Sequence, residues 1–209
     1  MADRTFYQQN ISMRNTIWLS MIMATALLQA PSEFSRDTVG RHDPVTRFQA
    51  LLEQSGFIVQ QGLTDSMDWA DEYCAGTIPS GGYVDMAPYV RVRVPRSSED
   101  ETLVEVFRLR PDEAIVLLGF TPPAVNYFGC HAFLWSKTYP DRQPERMFAT
   151  LGDAVNNATI RTLGVDPFDS PVALIFTPDR KTDARVLAAL QRAGYPAAII
   201  STVVFPRPC

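Results

Sequence analysis

The last third of the chain carries the pattern that most restricts its fold. Val172 to Thr177 reads VALIFT, a continuous apolar run that suits a strand buried on both faces. Asp179 to Ala193 sets Val186, Leu187, Leu190 and Ala193 on one face of a helix, and Gly194 supplies its stop. Ala197 to Phe205 reads AAIISTVVF, a second apolar strand. Strand, helix and strand joined by short connections form a βαβ unit, whose crossover is almost always right-handed. Met147 to Leu151, then Gly152 and Asp153 opening a helix to about Arg161, predicts another strand-to-helix step. The expected class is α/β, or α+β, with helices packed on a mixed β-sheet.

Upstream, Asp43 and Pro44 open a helix with N-cap and first-turn chemistry. Val45, Phe48, Leu51 and Leu52 share its face, and Gly56 ends it. Phe57 to Gln60 reads as a short strand, and Asp65 to Ala75 as a second helical piece with Met67, Ala70 and Cys74 on one side, closed by Gly76. Residues 77–87 are loop-like. Tyr89 to Val94 alternates valines with Arg91 and Arg93, a half-buried strand with a charged outer face. Leu103 to Leu109 alternates likewise, and Glu99, Asp100 and Glu101 between the two make a hairpin. Ala114 to Phe120 is another buried strand. Tyr127 to Trp135 divides Phe128, Cys130, Ala132 and Leu134 from Tyr127, Gly129, His131, Phe133 and Trp135, and its aromatics favour a strand over a helix begun at Thr121.

The amino terminus reads as an address. Thr16 to Leu28 (TIWLSMIMATALL) has no charge, Gly or Pro, follows Arg14, and meets small residues at Ala24, Ala26 and Ala30. A basic residue, a short apolar core and small residues at a cleavage point define a secretory signal. The run is too short to span a bilayer, which takes about 20 apolar residues. The expected organisation is a cleaved signal over residues 1–30, a linker over 31–42 and one domain over 43–209, secreted or periplasmic, without stable transmembrane anchoring.

Composition narrows the function classes. A chain 46% hydrophobic and 20% charged is globular rather than disordered. A formal charge of -4 argues against nucleic acid as a partner. Cys74, Cys130 and Cys209 allow one disulfide with a thiol left over, in any of three pairings. Cys130 beside His131 is no nucleophilic dyad, because neighbours on a strand point to opposite faces. With His42 and His131 the only histidines and no C-x-x-C spacing, no zinc site is expected, nor any other metal or cofactor. Asp166 to Asp169 reads as a turn rather than a calcium loop. No G-x-S-x-G, H-E-x-x-H, Walker A or dinucleotide glycine pattern occurs.

Candidate chemistry therefore rests on position. Ligands of open α/β sheets lie beyond the carboxyl ends of strands, which selects Thr121, Asp153, Asp179, Arg180 and Lys181. Asp153, beside Asn156 and Asn157 on an expected first helical turn, would act as general base, with an Asn amide orienting substrate; capping alone is the competing role. His131 would be a second acid or base. Tyr127, Phe133, Trp135 and Tyr139 would line a groove for a carbohydrate-like or other small ligand, and Arg180 would hold an anion at a helix start. Two functions stay open: a hydrolytic enzyme acting on such a ligand through Asp153 and His131, and a non-catalytic ligand-binding or protein-interaction domain. Oligomeric state is not legible.

Overall fold

The computed structural model describes residues 6–8, 15–22, 44–67, 71, 74–76, 89–139 and 142–205. Its strands are β1 (Phe6–Gln8), β2 (Asn15–Ile22), β3 (Gln60–Met67), β4 (Tyr89–Pro95), β5 (Leu103–Val104) and β6 (Val106–Phe107). They continue as β7 (Ile115–Phe120), β8 (Gly129–Tyr139), β9 (Arg142–Thr150), β10 (Val155–Asn156), β11 (Pro171–Thr177) and β12 (Ile200–Val204). The helices are α1 (Pro44–Gln54) and α2 (Arg180–Ala193).

The strands run in the order β10-β8-β2-β4-β3-β1-β7-β11-β12, with β5 on β4, β6 on β2 and β9 on β8. β11 and β12 are parallel, from Ala173 opposite Ile200 to Thr177 opposite Val204, and α2 connects them. This is the βαβ unit the sequence predicts, set in a mixed sheet with helices packed on it. The neighbours on the other side are antiparallel, as in β7 against β11.

Alternation along β7 and β11 builds two cores. Val116, Ala173 and Ile175 face Phe48, Leu51 and Leu52 of α1 and Val186, Ala189 and Leu190 of α2. Ile115, Leu117, Leu174 and Phe176 point the other way, into a cluster with Val90, Val92, Val94, Cys130 and Ala132. β4 and β7 are three steps apart in strand order, so the sheet curls until its two halves face each other. The layers are helices, the β7–β11–β12 half, and the β4–β8 half. Arg185 of α2 lies 4.1 Å above the ring of Phe57, just beyond the end of α1.

The helix ends follow the sequence closely. Asp179 caps α2, accepting from Lys181 N (2.9 Å) and Thr182 N (3.1 Å). Gly194 closes it at φ 109, where a side chain would be strained. Residues 89–95 and 103–104 pair as the expected hairpin, but the strand expected to run on to Leu109 leaves it there, and Val106 and Phe107 pair with β2 instead. β7 is buried on both faces at Ile115, Val116 and Leu117.

Four further expectations need correction. The helix over 153–161 is absent: Val155 and Asn156 pair with Cys130 and Gly129 as β10. Asn156 then accepts from Ala158 N (2.8 Å), a local turn that competes with helix. Asp65 to Met67 belongs to β3 and not to a second helix, because Asp65 pairs with Arg91 across the strands. One helical turn survives where Ala75 N bonds Asp71 O. The strand expected at Phe57 begins at Gln60 and runs to Met67. The last strand begins at Ile200 instead of Ala197, behind a 3-10 turn.

Part of the run read as a leader core is β2, whose eight residues pair with β8 on one side while Ser20 to Ile22 pair with β4 on the other. The expected linker 31–42, Asp43, the loop 77–87 and Cys209 lie outside the described residues.

Candidate functional site

β8 separates its residues as the sequence implies. Cys130, Ala132 and Leu134 are buried on the core side, and burial pushes the Cys130 thiol up to about 12. Such a thiol is inert at neutral pH. Gly129, His131 and Phe133 share the opposite, outward face of the strand.

On that face three side chains are built around one glycine. Tyr127, just before β8, folds back over Gly129 so closely that a Cβ there would lie 2.5 Å from the phenol oxygen. The Tyr127 Oη reaches to 3.4 Å from His131 Nε2, long for a hydrogen bond but in line with one. His131 in turn stacks on Phe133, with ring centroids 5.9 Å apart and planes 17° apart. Burial holds the His131 pKa below its ordinary value, which favours the neutral imidazole near pH 7. Tyr127 stays nearly half exposed.

Register brings further residues alongside. Asn156 pairs with Gly129, so it sits at the edge of the same patch. Its Oδ1 is occupied by Ala158 N and lies 3.3 Å from the Thr159 hydroxyl. Asn157 contributes a backbone N–H to Phe128 O. Leu151 N bonds Ala132 O and Val155 pairs with Cys130, so the 152–154 turn runs past His131. Asp153 lies exposed in that turn, after Gly152 at φ 104, and caps no helix. On the other flank Ser20 of β2 is the partner of both His131 and Arg91. Two strand spacings put Arg91 on the same row, roughly 10 Å from His131. Arg91 is held by Asp65 (3.0 Å) and Glu105 (3.2 Å), a partly buried network.

The remaining candidates separate from this patch. Trp135 falls in a bulge: β2 pairs Ile17 with Leu134 and Thr16 with Ser136, and β9 also skips it. The alternation that put it with His131 stops there. Arg180 starts α2, in the helix layer across the β7–β11 half, and its helix start is already capped by Asp179. Thr121 is buried and exchanges bonds with Ser170, a structural role. Asp166 accepts from Phe168 N, forming the expected turn. Tyr139 lies in β8, but nothing is described of its side chain.

No family model, curated protein or solved structure matches the chain. Its chemistry must be read from its own residues. The patch has ring faces, one neutral imidazole and one phenol, and no carboxylate bonded to the imidazole among the described residues. Ring faces of this kind can stack on a flat or ring-shaped ligand, and the imidazole and phenol are two hydrogen-bonding groups. Gly129 was the element sequence reasoning missed. Its signal was available, since a glycine inside a strand marks close approach of another group. Among the described residues no cluster of three metal-ligating side chains occurs, and no helix is long and apolar enough to cross a membrane.

Proposed function

We propose that the protein is a ligand-binding domain that receives a small, ring-bearing, hydroxylated molecule, carbohydrate-like in character, on the outward face of β8. The observation that carries this reading is the grouping of Tyr127 with the stacked His131 and Phe133 rings around the side-chain-free backbone at Gly129. Aromatic faces and a neutral imidazole suit recognition by stacking and hydrogen bonding, without charge. Titration with a panel of monosaccharides and glycosides, followed through the histidine ring signals, tests it. Saturable shifts at His131 support the reading, and a panel that leaves His131 unmoved contradicts it.

A hydrolytic reading is favoured by one observation, the passage of the Asp153 turn beside His131. In that case neutral His131 takes a proton from water and Asp153 orients it or the substrate. Asp153→Ala and His131→Ala each abolish turnover if this holds; unchanged turnover in both removes it.

Export is proposed on Arg14 and the apolar run from Thr16. The pairing of residues 15–22 as β2 supports another fate for the same run, a strand kept in the fold. A mature chain starting near Leu27 or Pro31 supports the leader, and an intact amino terminus supports the strand.

A further inference from the structure

We infer that Tyr127 is an internal stand-in for a hydroxyaryl group, and that the slot over Gly129, walled by the His131 ring, binds a phenolic ring once Tyr127 swings out. This deepens the ligand-binding reading above and rests on it. Four observations point the same way. The phenol lies on a backbone floor where even a methyl group would collide, 2.5 Å from its oxygen. The floor itself is buried although the ring above it is nearly half exposed. The phenol oxygen addresses His131 Nε2 at 3.4 Å, the one polar contact a hydroxyaryl ligand would need there. The wall behind is the His131 ring, already stacked parallel on Phe133.

Tyr127 precedes β8 and does not belong to its hydrogen-bonded ladder, so the side chain can leave without breaking a strand. A tethered phenol competes with a free one because its effective concentration in the slot is high. The ring is therefore a latch, and a ligand carrying its own phenol exchanges with it. Gly129 sets specificity: any larger residue fills the floor. The ligand class is a neutral hydroxy-aromatic compound. A carboxylate or phosphate finds no free cation among the described residues that form the slot.

The test uses the full chain and 4-methylphenol, which reproduces the tyrosine ring with its hydroxyl and first carbon. Binding is followed by the ring signals of His131, with His42 as internal reference. Tyr127→Ala is expected to bind 4-methylphenol saturably, with Kd on the order of millimolar for so small a ligand. Wild type binds at least tenfold more weakly, and Tyr127→Ala combined with Gly129→Ala loses the site. Thermal melting of each variant, with Tyr127→Ser as a second opening substitution, verifies that it is folded. A folded Tyr127→Ala protein showing no saturable shift, or binding no tighter than wild type, overturns the inference. Should a methyl glycoside shift His131 while 4-methylphenol does not, the stand-in role fails and the binding reading survives. Failure of both probes in folded wild type and variants overturns the stand-in role and removes the support for the binding reading as well.

Discussion

The Tyr127 phenol oxygen lies 3.4 Å from His131 Nε2, across the bare backbone of Gly129. Burial lowers the His131 pKa; where the neutral ring accepts at Nε2, the phenol donates to it and favours the same uncharged form. Tyr127→Phe removes the donor and keeps the ring. The His131 pKa is expected to rise toward its ordinary value, measured by proton NMR against pH. No change would mean that the oxygen and the imidazole do not interact, and a fall would mean that the phenol oxygen accepts from the imidazolium instead.

Stability should carry the mark of the same histidine. The His131 pKa is lowered on folding, from an ordinary value of 6.5, so the unfolded chain binds its proton first. Stability then rises with pH wherever the unfolded state holds more protons. The contribution is fully present above pH 6.5 and is lost as pH falls from there through the lower folded value. His131→Gln should flatten this segment of the stability curve, measured by urea unfolding between about pH 5 and 7.5. An equally steep loss in the variant would place the proton elsewhere.

Gly129 has an ordinary strand backbone, with no positive φ, so alanine is tolerated by the chain itself. The added methyl instead evicts the Tyr127 ring. Gly129→Ala is expected to change stability by less than about 1 kcal/mol, the scale of surface and strand propensity effects. It should nevertheless raise the His131 pKa as Tyr127→Phe does, and combining the two should add little further.

Away from the patch, a buried seam fixes the β11–α2 junction. The Thr177 hydroxyl, fully buried, donates to Glu113 O at 2.7 Å, and Thr182 donates to Pro111 O at 2.7 Å. Thr177→Val strands a buried carbonyl and should cost about 1–3 kcal/mol in denaturant unfolding. Asp179→Ala removes the cap of α2 and should cost about 1 kcal/mol. Equal costs near zero would show that these groups find water instead.

How far the sequence foretold this arrangement depends on where each element's partner sits. β11, α2 and β12 were legible because their apolar residues repeat within a short stretch and their caps, Asp179 and Gly194, are local. The division of β8 into Cys130, Ala132 and Leu134 against His131 and Phe133 was legible for the same reason. β3 was not: Gln60 to Met67 is polar, and what makes it a strand is register with β4, with Asp65 across from Arg91. Asp153 looked like a cap because Asp before a helical pattern usually is one. Here Val155 instead goes to Cys130, and the Asn156 side chain closes a turn that no helix can share. Residues 15–22 are ambiguous by chemistry, since an uncharged apolar run serves a leader core and an interior strand equally well. The role of Gly129 appears only when Tyr127 is seen lying on it.

The most direct measurement follows the two histidine ring signals of the full-length protein while ring-bearing ligands are added, saccharides and hydroxy-aromatics in turn. Because the chain has only His42 and His131, each signal is assigned by one substitution. The outward face of β8 as binding surface requires that some ligand shift His131 saturably, with His42 unmoved and the shift lost in Gly129→Ala. A ligand shown to bind by an independent method while His131 stays still, or a shift that Gly129→Ala leaves intact, would contradict it.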